Sequence, residues 1–225
     1  MAISILTKAI LVITVSYLLG SISFALLIGK CFYGIDVRRQ GSGNLGATNT
    51  FRVLGMLPGA LVLILDVAKG FLAVGLASYF FRDAPSLFNC CLRQGTNFAS
   101  YSVADSTVLV LAGFTAIMGH NWSIFLKFSG GKGLATSAGV LFALVPKIVI
   151  ILILIWFVII IMTRYVSLGS VIVSAAFPFF MLYFYQGNYI YVAFSTIASV
   201  VVIYKHKSNI SRLLKGRELK FGKKS

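Results

Sequence analysis

Charge is scarce in this chain, and acids are scarcer than bases: of 225 residues 11% are charged, with 5 Asp and Glu against 20 Lys and Arg. A water-soluble domain carries about a quarter of its residues as charges, so the shortage excludes water as the main solvent. Histidine and cysteine are also rare, at 2 and 3. Cys31 stands near the end of the first apolar run, Cys90 and Cys91 are neighbours, and no His or further Cys lies at ligand spacing. Neither a disulfide framework nor a metal site is indicated. The strict apolar/polar alternation of a membrane barrel is missing. No cleavable leader is expected either, because the first apolar run is too long and runs into basic residues with no small-residue cleavage site.

What is there is apolar: 59% of the chain, in runs near the roughly 20 residues that a helix needs to cross a hydrocarbon core. A spanning segment must satisfy its own backbone hydrogen bonds, so the runs predict α-helices. The expected spans are 3–28, 56–81, 106–119, two within 134–162 divided at Pro146-Lys147, 166–185 and 189–204. The expected fold class is therefore all-α, a polytopic bundle of about seven transmembrane helices forming one integral membrane domain, 1–225, with a basic tail over 205–225. Gly20, Ser21 and Ser23 suit close helix contact. Asp66 and Lys69, spaced i,i+3, can meet on one face of the second span, either as a self-neutralising pair or at the edge of a site.

The net charge of +15 resembles a nucleic-acid footprint until its distribution is followed. Fifteen of the 20 bases fall in segments that can share one side: Lys30, Arg38, Arg39, Arg52, Lys127, Lys132, Arg164 and the eight from Lys205 onward. Lys8, Arg82, Arg93 and Lys147 fall on the other side, and Lys69 within a span. This positive-inside pattern marks the cytoplasmic face, with the N-terminus outside and the tail inside against anionic lipid headgroups, and predicts no nucleic-acid partner.

Three polar clusters interrupt the apolar runs, all on the basic side. The first, 41–52, reads Gly-Ser-Gly-Asn-Leu-Gly-Ala-Thr-Asn-Thr-Phe-Arg. Its glycines let backbone N–H groups approach an oxyanion, its hydroxyls donate, and Arg52 offers a fork to phosphate. A short helix beginning near Asn44 would aim its amides at the same place. Walker and dinucleotide-binding glycine spacings are both absent. The second, 119–136, sets Lys132 among Gly130, Gly131 and Gly133, either a phosphate cradle or a re-entrant turn with an interfacial lysine; Lys127, among apolar neighbours, reads as a snorkelling residue. In the third, 206–216, His206 and Asn209 share a face if the last helix continues, where they can bind a polar substrate or cap the helix end.

With these residues in place, the chain resembles the bacterial membrane glycerol-3-phosphate acyltransferases of the PlsY type. The resemblance is carried by Tyr17-Leu18-Leu19-Gly20-Ser21, by the Ser-Gly-Asn-x-Gly-Ala-Thr-Asn-x-x-Arg motif within 41–52, by Gly119-His120 through Gly130-Gly131-Lys132-Gly133 to Ala135-Thr136, and by His206, Asn209 and Ile210. It implies acyl transfer from acyl phosphate to sn-glycerol 3-phosphate, the first step of phospholipid synthesis. The implied setting is the cytoplasmic face of a bacterial inner membrane, without metal or nucleotide cofactor. It further implies Ser42, Arg52, Lys132, His206 and Asn209 as catalytic residues, and Gly43, Asn44, Gly46, Thr48, Asn49, Gly130, Gly131, Gly133 and Ser170 as substrate or phosphate contacts. Three serines depart from the family pattern: Ser123 replaces Pro, Ser129 replaces Lys, and Ser208 replaces a Glu between the His and Asn. If that Glu pins the final helix in relatives, something else must do so here.

An acyl phosphate is already activated, so the implied task is positioning and stabilising the leaving phosphate. Neither His120 nor His206 has an acid within the next five residues, so the His–Asp dyad of thioester-dependent acyltransferases is absent. A membrane transporter of phosphorylated solutes is the alternative from another class. It predicts two corresponding halves with interrupted helices, and no such repeat is present.

Overall fold

The computed structural model describes residues 4–81 and 103–222. The expected outer loop with Arg82, Arg93, Cys90 and Cys91 lies outside the described residues, apart from the start of the following helix, as do Lys223 and Lys224.

The described chain is helical: α1 Ile5–Ser21, α2 Phe24–Tyr33, α3 Ala47–Leu54, α4 Met56–Phe80, α5 Val103–Asn121, α6 Leu134–Leu144, α7 Pro146–Thr163, α8 Val166–Phe184, α9 Tyr189–Lys205 and α10 Lys207–Leu214. Among the described residues α4, α7 and α8 are long and apolar enough to span singly, and α1–α2 and α9–α10 also qualify if each bent pair is one span. At 11 residues α6 falls well short of a crossing by itself. The division of the fourth apolar run is where Pro146 predicts it, since proline at the first helical position gives up only an N–H that lacks a partner anyway.

The first expected span is not one continuous helix. It ends at Ser21, bends by 43°, and resumes at Phe24 to run to Tyr33. Ile22 and Ser23 are extended at the break, which frees two carbonyls. Lys69 Nζ donates to the Ile22 carbonyl at 2.8 Å and Ser123 Oγ to that of Ser21 at 2.6 Å. A broken helix in an apolar solvent needs such partners.

The bundle buries many polar groups among its apolar core and exposes large apolar side chains outside. Ser16, Asn49, Thr50, Asp66, Lys69, Asn121 and Thr136 are buried, whereas Leu6, Leu57, Ile161, Met162, Phe179 and Tyr183 are widely exposed. Such a surface is stable only against lipid. α5 sits centrally, packed on α1, α4, α6 and α9, while α8 packs between α7 and α9. The α1/α5 crossing is close because both helices present glycine: a Cβ at Gly20 would strike the Ala116 backbone, and one at Gly119 the Tyr17 carbonyl.

Candidate active site

The polar clusters meet at one end of a cavity of about 490 Å³. Ser42, Asn44, Gly46, Thr48, Asn49, Arg52, Lys132, Gly133, Ser170, His206 and Asn209 all line it, drawn from four separate parts of the chain. Gly43, Gly130 and Gly131 do not line it. Gly43 packs beside the Arg38 carbonyl, and the other two lie against His120, where a Cβ on Gly131 would enter the imidazole. The expected glycine cradle is thus a packing contact at those positions, and Gly133, at φ +80°, is the glycine that faces the cavity at the start of α6.

In the first cluster α3 starts at Ala47, three residues beyond the expected start, and its first turn faces the cavity. Asn49 is fully buried and uses its whole amide locally. Its Oδ1 accepts from Ser42 N at 2.8 Å and Ser42 Oγ at 3.1 Å, and its Nδ2 donates to the carbonyls of Val37 at 3.0 Å and Gln40 at 3.2 Å. Asn49 therefore shapes the loop that presents Ser42, with no amide group left over for a ligand. One turn later on α3, the Arg52 guanidinium makes no hydrogen bond or ion pair among the described residues and lines the cavity.

The third cluster does not continue a straight helix. α9 ends at Lys205, the chain bends by 59° and α10 begins at Lys207. The His206 amide is shared between the Val202 and Ile203 carbonyls at 3.1 and 2.9 Å. Despite the bend, His206 and Asn209 are both buried and both face the cavity. His206 Nδ1 lies 2.8 Å from the Val202 carbonyl, so it carries the proton and Nε2 is left as an acceptor.

Glu218, a single acid in a basic tail, carries no motif signal in the sequence yet lines the cavity. Its Oε1 accepts from Asn209 Nδ2 at 2.6 Å and Ser167 Oγ at 2.8 Å, and its Oε2 from Arg212 Nε at 2.7 Å. The tail folds back over the site: Phe221 N donates to the Arg164 carbonyl at 2.8 Å, and the Phe221 ring meets Phe51 edge-on at 6.0 Å. Ser208 is exposed, so α10 is held by Glu218 from outside the 206–209 stretch. Two further ties brace the same end. Lys205 Nζ donates to the Asn121 carbonyl at 2.7 Å, and Trp156 Nε1 reaches Ser170 Oγ at 3.4 Å.

Lys132 Nζ donates to Asn209 Oδ1. Burial pushes the Lys132 ammonium down to about 8, with Glu218 opposing the shift and Arg212, Arg52 and Lys205 adding to it. Asp66 and His120 reach the cavity wall as well; Asp66 pairs with Lys69 at 2.9 Å and lies 3.6 Å from His120 Nδ1. The Asp66–Lys69 pair bridges α4 to the break after α1, and Asp66 also lines the cavity.

Away from the charged end the cavity becomes an apolar slot between α6, α7, α8 and α9, walled by Leu141, Leu152, Ile153, Val173, Phe177 and Phe194. A cationic head joined to a greasy slot matches an amphiphile bearing phosphate.

Residues 10–216 match the family model described as glycerol-3-phosphate acyltransferase. This chain belongs to that family. Among curated relatives of the acyltransferase, glycerol-3-phosphate acyltransferase 2 of Moorella thermoacetica is 43% identical over 216 residues, covering 96% of this chain and 99% of the relative. The glycerol-3-phosphate acyltransferase of Fusobacterium nucleatum is 42% identical over 209 residues, covering 93% and 96%. The crystal structure of PlsY, an integral membrane glycerol 3-phosphate acyltransferase, in its glycerol 3-phosphate form superposes with a TM-score of 0.79 at 37% identity, covering 95% of this chain and 96% of that one. Its lysophosphatidic acid form gives 0.76 at the same identity. The acyltransferase described here is accordingly a multi-pass membrane protein.

Proposed function

We propose that this chain transfers an acyl group from an acyl phosphate to the 1-hydroxyl of sn-glycerol 3-phosphate, giving lysophosphatidic acid and inorganic phosphate at the cytoplasmic face of a bacterial inner membrane. The observation that carries the proposal is the single cavity whose cationic end, with Arg52 and Lys132, opens into an apolar slot. The polar end suits two phosphates, and the slot suits one acyl chain.

The acceptor's hydroxyl oxygen attacks the acyl carbon, the bond from that carbon to the phosphate oxygen breaks, and phosphate departs with the electron pair. Arg52 supplies a bidentate fork and Ser42 a hydroxyl to one phosphate, while Lys132 neutralises the other. His206 and Asn209 border the acceptor, and Gly46, Thr48, Gly133 and Ser170 complete the walls. The hydroxyl proton goes to the acceptor's own phosphate; the competing acceptor is His206 Nε2. Holding both reactants in one geometry supplies most of the acceleration, because the donor is already activated.

In the membrane, α1 with α2, α4, α5, α7, α8 and α9 cross, and α6, short of a crossing by itself, carries the chain back from the site to the start of α7, which gives seven passages with the N-terminus outside. Two contacts support placing the tail and the site on one side: Phe221 bonds the carbonyl of Arg164 at the α7/α8 junction, and Lys205 bonds that of Asn121 at the end of α5. Purified protein in detergent, given labelled glycerol 3-phosphate and separately acyl phosphate, acyl-CoA or acyl carrier protein thioester, should form lysophosphatidic acid from acyl phosphate. Product from a thioester alone would overturn the donor assignment.

A further inference from the structure

On α8 and α9 the apolar slot ends at the same level. On α8 the lining positions run Ser167, Ser170, Val173, Ser174 and Phe177, then stop; Met181, one turn on, is fully buried in the core. On α9 they run from His206 back through Val202, Ala198 and Phe194, then stop; Tyr191, three residues further, is buried. The two phenylalanines meet edge-on, with ring centroids 6.4 Å apart and planes at 84°. Both are 4% exposed, and both belong to the same packed cluster as Met181 and Tyr191. An edge-to-face pair backed by a close-packed core is a wall that side-chain rotation cannot open.

Resting on the acyl-phosphate reading, we propose that the Phe177–Phe194 pair is the end-stop that sets the upper limit of acyl length in this enzyme. From Ser167 to Phe177 along α8 the slot is about 15 Å deep at the helical rise of ~1.5 Å per residue. A chain that reaches the pair has the two rings ahead of it; one longer must turn aside or push the rings apart. Above the pair the walls carry small side chains, Ala138, Ser174, Ala198 and Ser199, so the bore is open until the rings close it.

The test runs on the purified full chain with donors of graded even-numbered length, from hexanoyl to docosanoyl phosphate. Phe177→Ala and Phe194→Ala should each move the length at which kcat/KM collapses toward longer chains. The ratio between the first rejected and the last accepted donor should shift by about tenfold, the worth of roughly two buried methylenes. Ala198→Phe, which narrows the bore before its end, should move the collapse toward shorter chains. The Phe→Leu forms of both positions repeat the measurement should either Ala variant fold poorly. Binding of lysophosphatidic acids of the same lengths, read by thermal stabilisation, follows the slot without turnover. If acyl phosphate gives no product yet the binding series shifts, the donor assignment fails and the end-stop stands. If neither series moves in any variant, the end-stop is wrong.

Discussion

The Asn209 carboxamide donates from Nδ2 to Glu218 at 2.6 Å, and this orients its oxygen toward the Lys132 ammonium. A carboxylate on one side and a cation on the other leave the amide a single sensible orientation. Glu218 is itself held by Ser167 and Arg212, so α8, α10 and the tail converge on the lysine at the centre of the cationic end.

Glu218→Ala should therefore lower kcat/KM for glycerol 3-phosphate by about tenfold to a hundredfold, the usual worth of hydrogen bonds to a charged group. Glu218→Gln should lose less, because the Gln carbonyl can still accept from Asn209. Steady-state kinetics on folded protein, checked by gel filtration, measures this. Unchanged kinetics in both variants would separate Glu218 from the site.

Lys132 predicts a pH limb. With the ammonium pushed down to about 8, the cradle carries its charge below that pH and loses it above, so kcat/KM for glycerol 3-phosphate should fall as pH rises through about 8. The substrate phosphate, with its second pKa near ~6, is already dianionic there and does not produce the fall. Lys132→Arg should carry the limb to higher pH. Glu218→Gln should carry it lower, since Glu218 favours the charged form against Arg212, Arg52, Lys205 and burial.

Arg52, whose guanidinium lines the cavity, and Lys132 act on charge that grows as phosphate leaves. Arg52→Ala and Lys132→Ala should each reduce kcat at saturating substrate, by about a hundredfold or more, and not only raise KM. Arg52→Lys keeps the charge but not the planar fork, and should recover only part of the loss. A retained kcat in both Ala variants would count against the phosphate-screening role.

Helices and their ends were largely legible because apolar runs and basic junctions report on solvent directly, and Pro146 marks a helix start through its missing N–H. The break at Ile22 and Ser23 was not, since neither residue disfavours a helix and the partner that makes the break tolerable, Lys69, lies far along the chain. Gly130 and Gly131 have the composition of an anion cradle, but packing against His120 uses their smallness first. Asn49 could equally have bound a ligand or braced a loop, and only the four local hydrogen bonds decide. Glu218 was hidden because its partners, Ser167 and Asn209, are non-adjacent and its neighbours are basic.

Lys69 is 1% exposed and holds two elements at once, the Asp66 carboxylate at 2.9 Å and the Ile22 carbonyl at 2.8 Å. Lys69→Met removes the cation and leaves a buried carboxylate and a helix-break carbonyl without it, at a cost of about 3–5 kcal/mol. That corresponds to a fall of roughly 6–20 °C in Tm for a chain of this size, readable by thermal unfolding in detergent. Asp66→Asn combined with Lys69→Met should recover part of the fall, because no unpaired charge is left inside. The double variant should still unfold earlier than the parent, since the Ile22 carbonyl keeps no donor. If the double variant is no better than Lys69→Met alone, the pair's charge balance is not what stabilises the α1–α2 break, and the Ile22 contact alone accounts for the effect.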